Sequence, residues 1–327
     1  MPIRLLVIIT LPVLAFLVTA GLIAWMLKSP FARAVLDHPN ERSLHVDPVP
    51  RIGGLAIMIA IAVAGAALLP GSLVWLAPAV ALATLSFVDD LRGLPVVLRF
   101  AVQIAVAGAF AAWVLAGLPA LWIAAATLAT AWLANLYNFM DGSDGLAGGM
   151  AVIGFGFSGI AALAAGDPGL GTASLSITGA AAAFLVFNLH PARIFMGDVG
   201  SVPLGFLAAA IGILGWRSGA WPTWFPILVF SPFIVDATVT LARRALRGDR
   251  IWQAHRDHYY QRLVRLGLGH RRTAVIEYLV MLAAGASALW GSQQDAASQI
   301  AVVAIWCALY ALGMMAVDRL WKEHASA

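Results

Sequence analysis

The chain has 327 residues and a formal net charge of +4, and 61% of its residues are hydrophobic while only 11% are charged. Ordinary soluble domains have roughly 25% charged residues, so the composition excludes a soluble globular protein. Neither of the two lysines, Lys28 and Lys322, lies in the Gly-rich context of a P-loop, which excludes a Walker-type ATPase. The single cysteine, Cys307, excludes an intrachain disulfide and a cysteine-based metal cluster.

Eleven apolar runs follow one another along the chain, and most approach the ~20 residues that a helix needs to cross ~30 Å of hydrocarbon. The runs are continuous and rich in Ala, Leu and Gly, without the alternation of barrel strands. The sequence therefore predicts an all-α, polytopic membrane bundle in one domain, 1–327. The predicted spans are 5–27, 53–69, 73–88, 98–115, 119–136, 146–165, 172–188, 202–216, 223–243, 273–290 and 298–317.

The basic residues predict the orientation of this bundle. If eleven spans alternate, eighteen of the twenty Lys and Arg residues fall on one side, and only Arg4 and Arg217 fall on the other. Cytoplasmic loops are enriched in basic residues, so the richer side is expected to be the cytoplasm. This places the N-terminus outside the cytoplasm and the C-terminus inside it.

Five aspartates occupy three connections on that same side. Asp89 and Asp90 end the third span, Asp141 and Asp144 follow the fifth, and Asp198 follows the seventh. Carboxylates are costly to keep close to a bilayer, so their convergence predicts a functional site. The alternative is that they are solvated loop ends, which explains a single carboxylate better than it explains five on one face.

Two of these connections have spacings that suit a cation and a phosphate. Asp141 and Asp144 are three residues apart among glycines, and Asp198 lies close to a span start, where helix N–H groups favour anions. An EF-hand is excluded because the twelfth position from Asp141 is Val152 rather than Glu. Oxygen ligands suit Mg²⁺ shared with substrate phosphates, and zinc fits less well because the sequence shows no clustered His or Cys at these carboxylates. The sequence therefore predicts a phosphate ester or diphosphate substrate.

The longest connection, 244–272, combines basic residues with His255, His258 and two tyrosines. Such a surface attracts anionic lipid headgroups, and its histidines and aromatic rings can also hold phosphate and stack on a ring. The connection lacks a His-Glu-x-x-His pattern, so it gives little support for zinc. Asp236, toward the same side, either braces the site or pairs with an arginine.

Four motifs, taken in chain order, resemble the polyprenyl-phosphate N-acetylhexosamine-1-phosphate transferases. They are Asp89-Asp90, the segments 135–146 and 195–201, and the loop from His255 to His258. This family includes the muramoyl-pentapeptide translocase of peptidoglycan synthesis and the enzymes that initiate O-antigen and related polysaccharides. The loop looks closer to the O-antigen initiating members, and the translocase is the alternative.

The resemblance implies transfer of an N-acetylhexosamine 1-phosphate from a UDP-sugar to undecaprenyl phosphate at the cytoplasmic face of the bacterial inner membrane, with release of UMP. It implies Mg²⁺, with Mn²⁺ as an alternative, held by Asp198, and it implies Asp89 as the base for the lipid phosphate with Asp90 beside it. Membrane lipids are expected partners, nucleic acid is not, and a homodimer is left open. The expected substrate-binding residues are Arg42, His45, Asn138, Asp141, Asp144, His255, Arg256 and His258, in active-site loops near 28–52, 89–97, 137–145, 189–201 and 244–272.

A secondary transporter is the competing class, because it would also be polytopic with acidic residues in or near its spans. Transporters place their sites near the midplane on broken, repeated helices. Here the acids crowd one surface and the sequence shows no internal repeat. A purely structural scaffold gives no reason for the carboxylates to converge.

Overall fold

The computed structural model describes residues 2–30, 35–37, 39, 44, 47–250 and 255–326. In these ranges the only strands form a two-residue antiparallel ladder, Leu36–Asp37 with Val49–Pro50, so the predicted all-α class is confirmed. A π-helical turn, Val264–Leu268, connects the helix Tyr259–Leu263 to the helix Gly269–Gly291. The helices are α1 Pro2–Lys28, α2 Gly53–Ala66, α3 Leu73–Arg92, α4 Val96–Val114, α5 Ala120–Phe139, α6 Leu146–Ala164, α7 Pro168–Asn188, α8 Asp198–Arg217, α9 Trp224–Val229, α10 Ser231–Leu246, α11 Tyr259–Leu263, α12 Gly269–Gly291 and α13 Ala296–Ser326.

Nine helical segments in the described part of the chain are long and apolar enough to cross a membrane. They correspond to nine of the eleven predicted spans. The other two predicted spans, 53–69 and 223–243, are helical but are not continuous helices of spanning length. The orientation of the bundle, with the N-terminus in the periplasm, stays a prediction.

The second predicted span is shorter than the sequence suggested. Helix α2 ends at Ala66 because Pro70 cannot donate a backbone hydrogen bond and disfavours helix in the residue before it. The chain then turns, and the buried Ser72 hydroxyl donates to the carbonyl of Gly65 at 2.6 Å. This bond satisfies a carbonyl in the last turn of α2.

The ninth predicted span is two helices, α9 and α10, which meet at Phe230. Pro232 has no N–H to donate to the carbonyl of Leu228, four residues earlier, so the helical ladder is interrupted there. The Ser231 hydroxyl donates to that carbonyl instead, at 2.6 Å. The prediction of one continuous span was therefore wrong. The carbonyl that the break leaves without a backbone partner is satisfied by a side chain.

The connection predicted at 244–272 is also partly helical. Helix α11 begins at Tyr259, and the segment Tyr259–Gly291 forms one long apolar span with a kink at Gly267, whose φ is 95°. A positive φ is readily adopted only by glycine, so this residue allows the kink. The connection is therefore about half as long as predicted, since its second half continues into α12.

Helix α8 is the most buried of the candidate spans and packs against α5 and α3. Close contact with α5 depends on Gly205, because a Cβ there would lie 2.3 Å from the carbonyl oxygen of Leu133. Helices α1 and α6 both pack along α7. The ends of α3 and α5 and the start of α8 lie at one end of the bundle, which positions the aspartates predicted to form the site.

Candidate active site

The start of α8 is attached to the start of α2. The N–H groups of Gly53 and Gly54 donate to the carbonyls of Phe195 and Met196 at 2.9 and 2.8 Å. These bonds give two unpaired amides at the N-terminus of α2 a partner. They also fix the segment that leads into α8, and so the position of Asp198, the first residue of that helix.

Two arginines pair with the aspartates at the end of α3. Arg99 Nη1 donates to Asp89 Oδ2 at 2.5 Å and lies 3.9 Å from Asp198 Oδ2. Arg51 donates to Asp90 at 2.9 Å. Arg99 therefore lies between the two carboxylates predicted to be the base and the metal ligand. The sequence did not predict this role of Arg99, although the short Gly93–Pro95 turn that joins α3 to α4 could have indicated it.

Asn138 and Asp141 join this cluster from the end of α5. The Asn138 side chain hydrogen bonds to Asp198, and its Oδ1 accepts a bond from the Ser201 hydroxyl at 2.8 Å. Asp141 accepts a hydrogen bond from the backbone N–H of Gly197. Burial raises the pKa of Asp141 well above its usual range, and the nearby negative charge of Asp198 raises it further. The carboxylates thus repel each other, and a divalent cation would relieve that repulsion.

A cavity of about 370 Å³ opens beside these groups. Its polar wall brings together the predicted residues Asp89, Asn138, Asp198, His255 and His258, with Arg99 beside them. Its apolar wall includes Val96, Phe100, Phe139 and Leu241. Anionic, cationic and apolar surfaces therefore meet in one space, as an amphipathic phosphate would require.

Asp236 supports His258, one of the two histidines that line this cavity. Its buried carboxylate accepts hydrogen bonds from the amides of Tyr259 and Tyr260 at 2.9 and 3.0 Å. It also lies 3.2 Å from Nδ1 of His258, whose ring is almost fully buried. Of the two roles left open by the sequence, the bracing role is the one these contacts support.

His255 is held neutral in this setting. Burial lowers its pKa to about 4, and the neighbouring His258 and the Arg244 guanidinium act in the same direction. Its ring lies 4.9 Å from that of His258. At neutral pH the His255 ring therefore carries no charge and presents one donor and one acceptor nitrogen.

Asp144 lies in a different arrangement from the one predicted. It does not line the cavity, and its carboxylate pairs at 2.7 Å with Nδ1 of His190, while Nδ1 of His270 lies 4.0 Å away. The sequence interpretation that no histidines cluster at these carboxylates was therefore wrong. His190 and His270 are 80 positions apart in the chain, so spacing could not reveal their contact.

Asp90, Asp141 and Arg256 are also predicted site residues that do not line the cavity. Arg42 and His45 lie outside the described residues. Arg256 is partly buried, and its carbonyl accepts a 3.4 Å hydrogen bond from Arg265. Asp90 contacts the site through Arg51 rather than through the cavity wall.

Comparison with known proteins places these residues in a family context. Residues 72–216 match the profile of Glycosyl transferase family 4. The chain is 29% identical over 308 residues to the probable undecaprenyl-phosphate N-acetylglucosaminyl 1-phosphate transferase of Bacillus subtilis (strain 168), covering 82% of this chain and 81% of the relative. It is 28% identical over 345 residues to the decaprenyl-phosphate N-acetylglucosaminephosphotransferase of Mycobacterium tuberculosis (strain ATCC 25618 / H37Rv), covering 86% and 83%.

A third similarity covers a shorter segment at higher identity. The phospho-N-acetylmuramoyl-pentapeptide-transferase of Shouchella clausii (strain KSM-K16) is 37% identical over 149 residues, which cover 45% of this chain and 44% of the relative. Of these three relatives, the two that match along most of the chain are named for N-acetylglucosamine. The resemblance drawn from the four motifs is confirmed.

Proposed function

We propose that this chain acts as a member of glycosyl transferase family 4 and transfers N-acetylglucosamine 1-phosphate from UDP-N-acetylglucosamine to undecaprenyl phosphate. The observation that carries the proposal is the cavity that gathers Asp89, Arg99, Asn138 and Asp198 against an apolar wall. The names of the relatives that match most of the chain support the same chemistry.

The donor set fits a magnesium ion. Asp198 and Asp141 offer carboxylate oxygens, the amide oxygen of Asn138 lies beside them, and magnesium prefers such hard oxygen ligands. When bound there, the ion would neutralise charge on the diphosphate and so reduce repulsion between the two polyanionic substrates. We expect Asp198 to be the main magnesium ligand and Asp141 to be a second one.

In the transfer, an oxygen of the lipid phosphate forms a bond to the phosphorus that carries the sugar, and the bond from that phosphorus to UMP breaks. Asp89 faces the cavity and can accept the proton of a monoprotonated lipid phosphate. Arg99 lies between Asp89 and Asp198, where its guanidinium can hold a phosphate oxygen by charge-assisted hydrogen bonds. Phe100 and Val96 provide apolar surface for the first part of the lipid chain.

The second half of the cavity wall suits the donor sugar. Asp236 fixes His258, and His255 is uncharged, so both rings are placed to offer directional hydrogen bonds. A site that hydrogen bonds a substrate group discriminates strongly against analogues that lack it. We therefore assign selection of the amino sugar to the loop that carries His255 and His258.

The purified protein tests the proposal directly. With Mg²⁺ and undecaprenyl phosphate, UDP-N-acetylglucosamine is expected to give UMP and a lipid diphosphate N-acetylglucosamine, identified by mass spectrometry. UDP-N-acetylmuramoyl-pentapeptide is the comparison donor, because the translocase is the alternative function. Turnover of that donor alone would overturn the proposal, and absence of turnover with both would remove the transferase assignment.

The finer proposal is that the product initiates O-antigen or a related envelope polysaccharide at the cytoplasmic face of the inner membrane. It rests on the resemblance of the loop from His255 to His258 to O-antigen initiating members. Expression in a bacterium that lacks its own initiating transferase is expected to restore the polysaccharide. Turnover in vitro without restoration would leave the activity in place and reject this pathway.

A further inference from the structure

Three separate connections meet at a cluster of one carboxylate and two imidazoles, away from the cavity described above. Asp144 lies between α5 and α6, His190 between α7 and α8, and His270 in the first turn of α12. One ligand atom from each residue lies within 4.8 Å of the other two. Asp144 is buried and His270 is 12% exposed at its side chain, so two of the three groups are shielded from solvent.

Hydrogen bonds indicate which nitrogen of His270 carries the proton. Nε2 lies 3.2 Å from the carbonyl oxygen of Leu44, which can only accept a bond. Nε2 is therefore the protonated nitrogen of the neutral ring, and Nδ1 carries the lone pair that a metal ion would bind in place of its present hydrogen-bond donors. The Ser143 hydroxyl, 2.9 Å from Nδ1, and the Asp144 N–H, at 3.4 Å, are both placed to donate to it. This is the usual arrangement of a metal-binding histidine, whose other nitrogen donates to a carbonyl or carboxylate.

The second imidazole presents the same atom to the same carboxylate. The rings of His190 and His270 are stacked, with centroids 5.2 Å apart and planes 7° from parallel. Nδ1 of His190 lies 2.7 Å from Asp144 Oδ2, which also accepts the N–H of Ala192 at 3.1 Å. In the described residues no hydrogen bond to Asp144 Oδ1 is found, and that oxygen faces Nδ1 of His270 at 4.0 Å.

We infer that Asp144, His190 and His270 form a binding site for a late first-row divalent metal ion, with Zn²⁺ as the representative ion. Two imidazoles and one carboxylate are a ligand set that zinc sites use, whereas magnesium prefers oxygen ligands alone. Binding requires His190 to move its proton from Nδ1 to Nε2, which is open because that side chain is 44% exposed. The inference does not rest on the proposed transferase activity.

The ion would add direct bonds between three segments that now meet through hydrogen bonds and the stacked histidine rings. Asp144 follows Asp141 by three residues, and His190 precedes Asp198 by eight, so the ion would fix two of the connections that lead into the active site. Metal that binds the folded chain alone stabilises it by mass action. We therefore expect Zn²⁺ to raise the thermal unfolding temperature of the full-length protein.

The test uses the purified full chain after treatment with a chelator. Wild type is expected to bind about one Zn²⁺ per chain with a rise in unfolding temperature. His190→Ala and His270→Ala should each lose most of that shift. His324→Ala is the matched control, because His324 is an exposed histidine near the C-terminus and outside the cluster. It should behave as wild type does.

Cobalt spectroscopy keeps the inference testable if a variant fails to fold. Co²⁺ bound to two imidazoles and a carboxylate should give a ligand-field absorption in folded wild type that Zn²⁺ displaces and excess Mg²⁺ does not. Asp198→Asn should retain this spectrum, because Asp198 belongs to the other site. Absence of the spectrum in wild type, or an equal loss of the zinc response in His324→Ala, would overturn the inference.

Discussion

Asp236 and His258 are joined by a buried contact of 3.2 Å between Oδ1 and Nδ1. The same carboxylate accepts the two amides that begin α11, so one side chain fixes both the ring and the helix that follows it. Asp236 is at a helix position that the sequence marks only as an acid within an apolar run. Its contacts give it a positioning role at the cavity wall.

Asp236→Asn is therefore expected to lower turnover while leaving binding of Mg²⁺ largely unchanged. The amide can still accept two bonds, but its NH₂ group faces donors, and a mismatched buried group costs ~1–3 kcal/mol. Steady-state kinetics should show a loss in kcat of roughly tenfold to a hundredfold, with unfolding measured in parallel. Glu323→Gln, at an exposed position near the C-terminus, is the control. If kcat were the same in Asp236→Asn and in Glu323→Gln, Asp236 would have no positioning role.

Gly54→Ala tests the attachment of α8 to α2. A Cβ at this position would lie 2.3 Å from the backbone nitrogen of Gly200, and backbone atoms in a packed helix cannot move away cheaply. Overpacking of this kind costs ~1–3 kcal/mol, so both the unfolding temperature and activity should fall. Gly21→Ala is the matched control, because a Cβ there would meet no atom within 4 Å. A stable, active Gly54→Ala protein would contradict this account.

Labelling of single cysteines tests the predicted orientation. In a Cys307→Ala background, Arg92→Cys should react only with reagent that reaches the cytoplasmic side, and Ser218→Cys only from the periplasm. Both positions are exposed. Arg92 ends α3 on the side of the site, whereas Ser218 follows the end of α8 that is far from the site. The expectation follows from the eighteen basic residues on the site side. The reverse pattern would place the candidate site outside the cytoplasm.

His255 predicts a pH dependence of stability. Its pKa is about 4 in the folded protein and ~6.5 in an unfolded chain, so the unfolded chain takes up the proton first as the pH falls. The folded state should lose stability between about pH 6.5 and about pH 4. His255→Gln, which cannot titrate there, should show a smaller fall in unfolding temperature than wild type does. His324→Gln should keep the wild-type fall, and identical profiles in all three proteins would contradict the prediction.

The sequence predicted the helices because length and apolar character alone identify candidate spans. It also predicted that Asp89 and Asp198 meet, because successive helix ends return to the same side of a bundle. Arg99 was counted only as a topology signal, since its pairing depends on the turn between α3 and α4. The cluster of Asp144 with two histidines could not be predicted from the sequence, because residues far apart in the chain make contact only after the helices have packed.

Asp89 and Asp198 share Arg99 as a neighbour but are expected to respond differently to substitution. Asp198→Asn replaces an anionic ligand with a neutral one, so the apparent affinity for Mg²⁺ should fall, and excess metal should restore part of the activity. Asp89→Asn keeps the shape of the cavity, so binding of UDP-N-acetylglucosamine should survive while turnover collapses. Titration of each variant with Mg²⁺ and with the donor, followed by UMP release, measures both effects.

The size of the Asp89→Asn loss and its response to pH identify the role of that carboxylate. A positioned base contributes ~10²–10⁴-fold, which sets the expected loss at neutral pH. If Asp89 removes a proton from the lipid phosphate, alkaline buffer should remove that proton and restore turnover. If it only holds Arg99 in place, the variant should stay inactive at high pH, because the 2.5 Å contact is not rebuilt. Near-normal turnover of both variants at neutral pH would show that this cavity is not the reaction centre.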